Sequence, residues 1–400
     1  MKRFAILAFI SLFVVNTGLG ACSSKKSKSS DDVVPKNLFG EYQEDPVECP
    51  PDECGANSPV VNGYSIDELH LNVGVNNGSP NHDGVRIVGF VPANNPTGEE
   101  FVLSATGGEL IATSRSGIEL KGAGLVNSQI ILEATQDDTT MSMAIVIYAY
   151  DEAPNWHGTP KLRLPRYLVT YDPTAQSIDQ DAGPMQTTGH ATTPVCSTAA
   201  AYGTVTGDGG DADDRAWITV LTSVRYVHDT TTKRPLAQVQ SSTLESDKGW
   251  FNLACRGHAL YKTKFMGYEL DPAPVYAAAL QSRRSLDKHQ ATIKALTADY
   301  CGNNTSFTED GELLRWENHH VASVDNKVDN EAVHGNAQFA LEARWTGTGA
   351  ICLDTPRHYD NKADVPDECA YTKPACSDPT LPTNWEWKTY KVIPAPVSEP

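Results

Sequence analysis

Met141 to Tyr150 reads MSMAIVIYAY, and Arg166 to Tyr171 reads RYLVTY. Both runs are short, β-branched and aromatic, with no Gly or Pro inside, which is the composition of strands. Working back toward the N-terminus, Val85 to Phe90 (VRIVGF), Glu109 to Thr113 (ELIAT) and Gln129 to Leu132 (QIIL) repeat the pattern. Asn76-Asn77-Gly78, Gly107-Gly108 and Asp172-Pro173 are turn signals between such runs. Short strands joined by local turns predict an antiparallel β-sandwich or open barrel for the first half.

Working forward, helical spacing emerges only in the second half. In Ser285 to Cys301 the residues Leu286, His289, Ile293, Leu296 and Tyr300 advance by three or four, one face of a helix, with Gly302 placed as its C′ residue. A second helix is expected from about Ala254 through Phe265, ahead of Gly267. Ala337 to Trp345 alternates instead, placing Phe339, Leu341, Ala343 and Trp345 on one face of a half-buried strand. The expected class is α+β and β-rich: a β region over 48–190, then a disulfide-stapled α+β domain over 191–355. An acidic, Cys-containing loop and a Pro-rich extended tail are expected over 356–400.

The N-terminus reads as an export signal over 1–21. Lys2 and Arg3 precede the apolar run Phe4 to Val15, which is too short to cross a bilayer. It ends in Leu19-Gly20-Ala21-Cys22, which resembles the bacterial lipobox. That resemblance implies an acylated Cys22, and several acyl chains anchor firmly at ~0.8 kcal/mol per buried CH₂. Residues 22–47 are read as the lipidated Cys22 and a flexible polar tether, whose first stretch, Ser23 to Asp32 (SSKKSKSSDD), has no apolar residue and suits a solvated tether. Ser23 at the position after the acylated cysteine leans toward the outer membrane. The expected address is the bacterial cell envelope, periplasmic or surface-exposed, with the membrane as first partner.

The chain has 400 residues, and 32 basic minus 50 acidic side chains gives a net charge of −18. So acidic a chain repels phosphate backbones, which disfavours nucleic acid as a partner. With Cys22 set aside, eight of the nine cysteines remain: Cys49, Cys54, Cys196, Cys255, Cys301, Cys352, Cys369 and Cys376. An even number in an exported chain reads as disulfides, and the lack of a C-x₂-C pair weakens the zinc alternative. Cys49-Pro50-Pro51-Asp52-Glu53-Cys54 could close a small loop, Cys369 and Cys376 a second, and the other four would staple the main domain.

Ala298-Asp299-Tyr300-Cys301-Gly302 resembles the signature of the ADYC-domain proteins, exported proteins found chiefly in myxobacteria and their relatives. Cys255-Arg256-Gly257 with Ala259 and Lys262 is similar to that family's C-R-G-x-A-x-x-K stretch. His289-Gln290-Ala291, Thr308-Glu309-Asp310-Gly311, Pro194-Val195-Cys196 and the opening segment Cys54 to Gly63 extend the likeness. The family pattern often carries cysteines where this chain has Thr263 and Thr292. Their joint replacement implies that the C-R-G helix and the ADYC helix lie side by side. Among the remaining cysteines it implies the pairs Cys196–Cys255 and Cys301–Cys352.

Common catalytic signatures are missing: there is no G-x-S-x-G, no phosphate-binding G-x-x-x-x-G-K-[ST] and no H-E-x-x-H. His289, Asp299 and Asp310 are the candidates for acid–base work. Against that, Asp299 sits near a helix C-terminus, where its charge opposes the dipole, and Asp310-Gly311 reads as a hairpin turn. Two acidic loops are candidate Ca²⁺ ligands: Asp208, Asp211, Asp213 and Asp214 in GDGGDADD, and Asp360, Asp364 and Asp367 before Cys369. Neither follows EF-hand spacing, so no cofactor is expected beyond Ca²⁺. The leading expectation is a non-enzymatic envelope lipoprotein that binds an envelope or extracellular ligand. An exported hydrolase of glycan or envelope polymer and a calcium-stabilised adhesin are the alternatives.

Overall fold

The computed structural model describes residues 54–62, 68–71, 77–93, 95, 98–136, 139–156, 162–171, 193–196, 217–229, 235–239, 249–272, 285–309, 311–318 and 329–393. All of them fall in one unit, Asp45–Pro400. The signal, Cys22, the tether, Cys49, Asp310 and the loop holding Asp208, Asp211, Asp213 and Asp214 lie outside the described residues.

The strands of the first half are β1 (Glu68–His70), β2 (Val85–Val91), β3 (Phe101–Thr106), β4 (Glu109–Ser114) and β5 (Glu119–Lys121). They continue with β6 (Gln129–Gln136), β7 (Thr139–Pro154), β8 (Arg163–Tyr171) and β9 (Thr193–Pro194). Next come β10 (Trp217–Thr222), β11 (Tyr226–His228), β12 (Pro235–Val239) and β13 (Trp250–Cys255). The helices α1 (Ala259–Phe265) and α2 (Leu286–Thr297) follow. Last are β14 (Leu314–Asn318), β15 (Gln338–Thr346), β16 (Gly349–Leu353), α3 (Glu368–Thr372) and β17 (Trp387–Ile393).

An eight-stranded antiparallel sheet runs in the order β1-β13-β10-β8-β7-β6-β2, with β9 attached to β8. Its end strands β1 and β2 touch, and Asn81 before β2 donates its side-chain N–H to the Glu68 carbonyl at 2.9 Å. The result is a nearly closed, barrel-like sheet, as the open-barrel expectation required. Closure shields the edge groups that a flat sheet would expose. Ile87, Leu132, Ile145, Ile147, Ile218 and Val220 fill one core, all at most 1% exposed. The β3-β4-β5 sheet adds Leu103 and Leu110 to it.

A second core lies among α1, α2 and a four-stranded sheet ordered β14-β17-β15-β16. β13 belongs to both cores. Phe251, Leu253 and Cys255 point into the barrel core while Ala254 joins the second, so every residue of this strand is buried. That two-sided burial leaves WFNLAC apolar at every position but Asn252, with no alternation by which periodicity could tell it from a buried helix. The helix expected from Ala254 accordingly begins at Ala259, after a turn in which Gly257 adopts φ 90°.

Two further expectations are corrected. The 190/191 boundary falls within one sheet, because β10 and β13 pair with strands that precede it. The stretch after Cys376 holds β17, which sits between β14 and β15 and buries Trp387 and Thr389. Its alternation is plain once the flanking prolines are set aside. Among the described residues no helix is long and apolar enough to cross a membrane.

Candidate functional site

The Ala298–Gly302 motif closes α2. Ser285 opens that helix, its side-chain oxygen accepting from the Lys288 N–H at 3.2 Å. The helix ends at Ala298, which takes the left-handed conformation at φ 53°, four residues before the Gly302 assigned to that role. For a non-Gly residue this conformation costs about 1–2 kcal/mol, and the hydrogen bonds of Asp299 offset it. Asp299 is fully buried. Its carboxylate accepts from the Asn303 and Asn304 N–H groups at 3.1 and 3.0 Å and pairs with Lys294 Nζ at 2.8 Å. It is the structural anchor of the following turn.

The other motif residues are held just as firmly. Tyr300 donates its hydroxyl to Glu342 Oε1 at 2.6 Å, and Glu342 is gripped in turn by Arg357 at 2.9 and 3.0 Å. The same guanidinium donates to the Ala295 and Leu296 carbonyls at the end of α2, satisfying acceptors that a helix terminus leaves open. Burial and the Glu342 charge push the Tyr300 phenol well up, so it stays a neutral donor. Gly302 (φ 68°) lies so close to the Thr348 carbonyl that a Cβ would meet the oxygen at 2.0 Å.

Cys301 bonds Cys369, and Cys352 bonds Cys376, with Cα separations of 5.7 and 4.9 Å. This corrects both the implied Cys301–Cys352 pair and the local Cys369–Cys376 loop. α3 carries Cys369 to the end of the ADYC helix, while Cys376 faces Cys352 on β16. Cys196–Cys255 forms as expected, 5.7 Å between Cα atoms. Cys54 is disulfide-bonded as well.

The C-R-G stretch holds the opening segment. Lys262 is buried and donates to the Ala56 and Asn57 carbonyls at 2.6 and 2.9 Å. The Ala259 and Leu260 N–H groups at the start of α1 donate to the Val60 and Val61 carbonyls. α1 and α2 are in contact, with Thr263 and Thr292 both fully buried.

His289 is also fully buried. Its Nδ1 lies 2.6 Å from the Tyr268 carbonyl and its Nε2 2.8 Å from the Tyr226 hydroxyl. The Nδ1–H tautomer satisfies both, donating to the carbonyl and accepting from the phenol. Burial pulls the imidazole down to about 4, against the smaller effect of the carbonyl bond.

Of the acidic loop before Cys369, Asp364 accepts from the Asn361 N–H and side-chain amide in a capping box. Asp367 caps α3 through the Cys369 N–H and accepts from the Asn303 side chain at 3.0 Å. Asp360 is exposed. Among the described residues, no group of potential metal ligands combines these three aspartates.

A different constellation, invisible to motif reading, stands at the barrel seam. Glu68 on β1, His82 in the turn before β2 and His228 at the end of β11 bring ligand atoms within 4.8 Å of one another. Glu68 is fully buried, and the His82 and His228 side chains are 14% and 10% exposed. Arg225 donates Nε to Glu68 Oε1 at 2.6 Å and lies 3.7 Å above the Trp250 ring. Glu68 Oε2 is 2.6 Å from His228 Nε2. No sequence spacing announces the set, because its members come from three separate segments.

The family model described as the ADYC domain matches residues 122–359. No curated protein and no solved structure matches the chain.

Proposed function

From the premise that this chain belongs to the ADYC-domain family, we propose that it is an exported lipoprotein, tethered to the outer membrane through acylated Cys22. In this reading it serves as a non-enzymatic binding module of the cell envelope. The observation that carries the reading is the cross-linking. Cys196–Cys255, Cys301–Cys369 and Cys352–Cys376 staple strands, helices and loops together, and such bonds persist in oxidising compartments. The lipobox-like Leu19-Gly20-Ala21-Cys22 and the polar tether after it supply the attachment.

The non-enzymatic part rests on what the ADYC segment does with its reactive side chains. Asp299 spends both oxygens on a turn and a lysine, Tyr300 is locked to Glu342, and His289 has both ring nitrogens engaged. A catalytic acid or base needs a proton path to substrate; these groups face packed protein.

Two measurements test the reading. Full-length protein made in a Gram-negative host incorporates an alkynyl fatty acid and fractionates with the outer membrane, and Cys22→Ala abolishes both. An unlabelled, freely soluble wild type overturns the anchor. Purified protein incubated with envelope polysaccharide cosediments with it and releases no reducing ends. Release of reducing ends overturns the non-enzymatic assignment.

A further inference from the structure

The seam cluster has the composition of a metal site. Two imidazoles and one carboxylate are donors suited to Zn²⁺ and neighbouring divalent ions, and a three-ligand set leaves a coordination position open. We propose that Glu68, His82 and His228 bind one divalent transition-metal ion of the zinc class, with the carboxylate oriented from behind by Arg225.

Geometry supports this in three ways. First, Zn–N and Zn–O bonds of about 2.0–2.2 Å place two ligands of a tetrahedral ion roughly 3.4 Å apart. The observed donors all lie within 4.8 Å of each other, so side-chain shifts of about an ångström reach that arrangement. An entering ion displaces the 2.6 Å contact between Glu68 and His228 and takes up both groups.

Second, the carboxylate is preset for single-oxygen ligation. Arg225 occupies Oε1, which turns Oε2 toward the histidines. The guanidinium is itself fixed over Trp250, and such outer partners hold ligands in place. The backbone is pinned as well. The Asn81 side-chain carbonyl accepts from the Asp83 and Val85 N–H groups at 3.0 and 2.9 Å, while its amide reaches the Glu68 carbonyl. That single asparagine fixes the His82 turn against β1.

Third, the imidazoles of His82 and His228 stack with centroids 3.4 Å apart and an interplanar angle of 25°. That stack sets the two rings side by side, each with a ring nitrogen within 4.8 Å of a Glu68 carboxylate oxygen. The rival account is an ion-pair cluster in which Glu68 serves only Arg225 and His228.

The test uses the full chain, stripped with EDTA and exchanged into metal-free buffer. Co²⁺ titration of the wild type is expected to give visible d–d bands that saturate at one equivalent, and Zn²⁺ to displace them. His82→Ala and His228→Ala are each expected to weaken Zn²⁺ binding at least 30-fold by calorimetry, while His358→Ala, outside the seam, leaves it within twofold. Absence of the Co²⁺ bands in the wild type overturns the site without recourse to any variant. Weak multi-site binding that both alanine variants retain overturns it equally, because it assigns the ions to the acidic surface at large.

Discussion

Asp299 and His289 show how a residue chosen for its chemistry can be consumed by structure. Lys294 is 3% exposed and pairs with Asp299, so Asp299→Ala strands a buried ammonium. We expect a loss of about 3–5 kcal/mol in urea unfolding, and a smaller loss for Asp299→Asn, which keeps one acceptor oxygen. His289 makes stability depend on pH. The unfolded imidazole binds its proton near 6.5 and the folded one near 4, so between those values the unfolded chain holds more protons and stability rises with pH. The contribution is fully present above about pH 6.5 and is lost on descending toward pH 4, a swing of roughly 3 kcal/mol. His289→Gln is expected to flatten that part of the wild-type profile. Sequence identified both residues as unusual. It could not show that every polar atom was engaged, because the partners of His289, Tyr226 and the Tyr268 carbonyl, are remote in the chain.

Cysteine pairing belongs to the scale of elements. Sequence proximity suggested that Cys369 and Cys376 close a local loop, yet the short helix α3 turns Cys369 toward Cys301 and leaves Cys376 for Cys352. Non-reducing peptide mapping is expected to recover 301–369 and 352–376 linkages and no 301–352 peptide. By chain entropy the Cys301–Cys369 bond, which spans 68 residues, is worth about 4 kcal/mol, so Cys301→Ser with Cys369→Ser should lower the urea midpoint markedly. β7, β8 and β15 were legible because one face or a long apolar run reveals their period. β13 was misread at its end, since a strand buried on both faces carries no alternation. β17 was missed because its surroundings, rich in Pro, look like a tail.

For the molecule as a whole, the barrel takes β1, β2, β6, β7 and β8 from before residue 190 and β10 and β13 from after it. A fragment ending at residue 190 therefore lacks the strands between β8 and β1. It is expected to show no cooperative thermal transition, whereas residues 45–400 melt as one unit with the disulfides intact. The metal candidate follows the same logic, since His82, in the turn before β2, joins Glu68 on β1 where those two strands meet at the closing seam. By itself the sequence determined the β-rich antiparallel character, the α2 helix, the expectation of disulfides and the membership of the ADYC family. Those are local properties, written in period, turn chemistry and short motifs. Which cysteines pair, which acids cap turns and which histidines face one carboxylate were decided by tertiary structure alone, because each joins residues whose separation along the chain bears no relation to their separation in space.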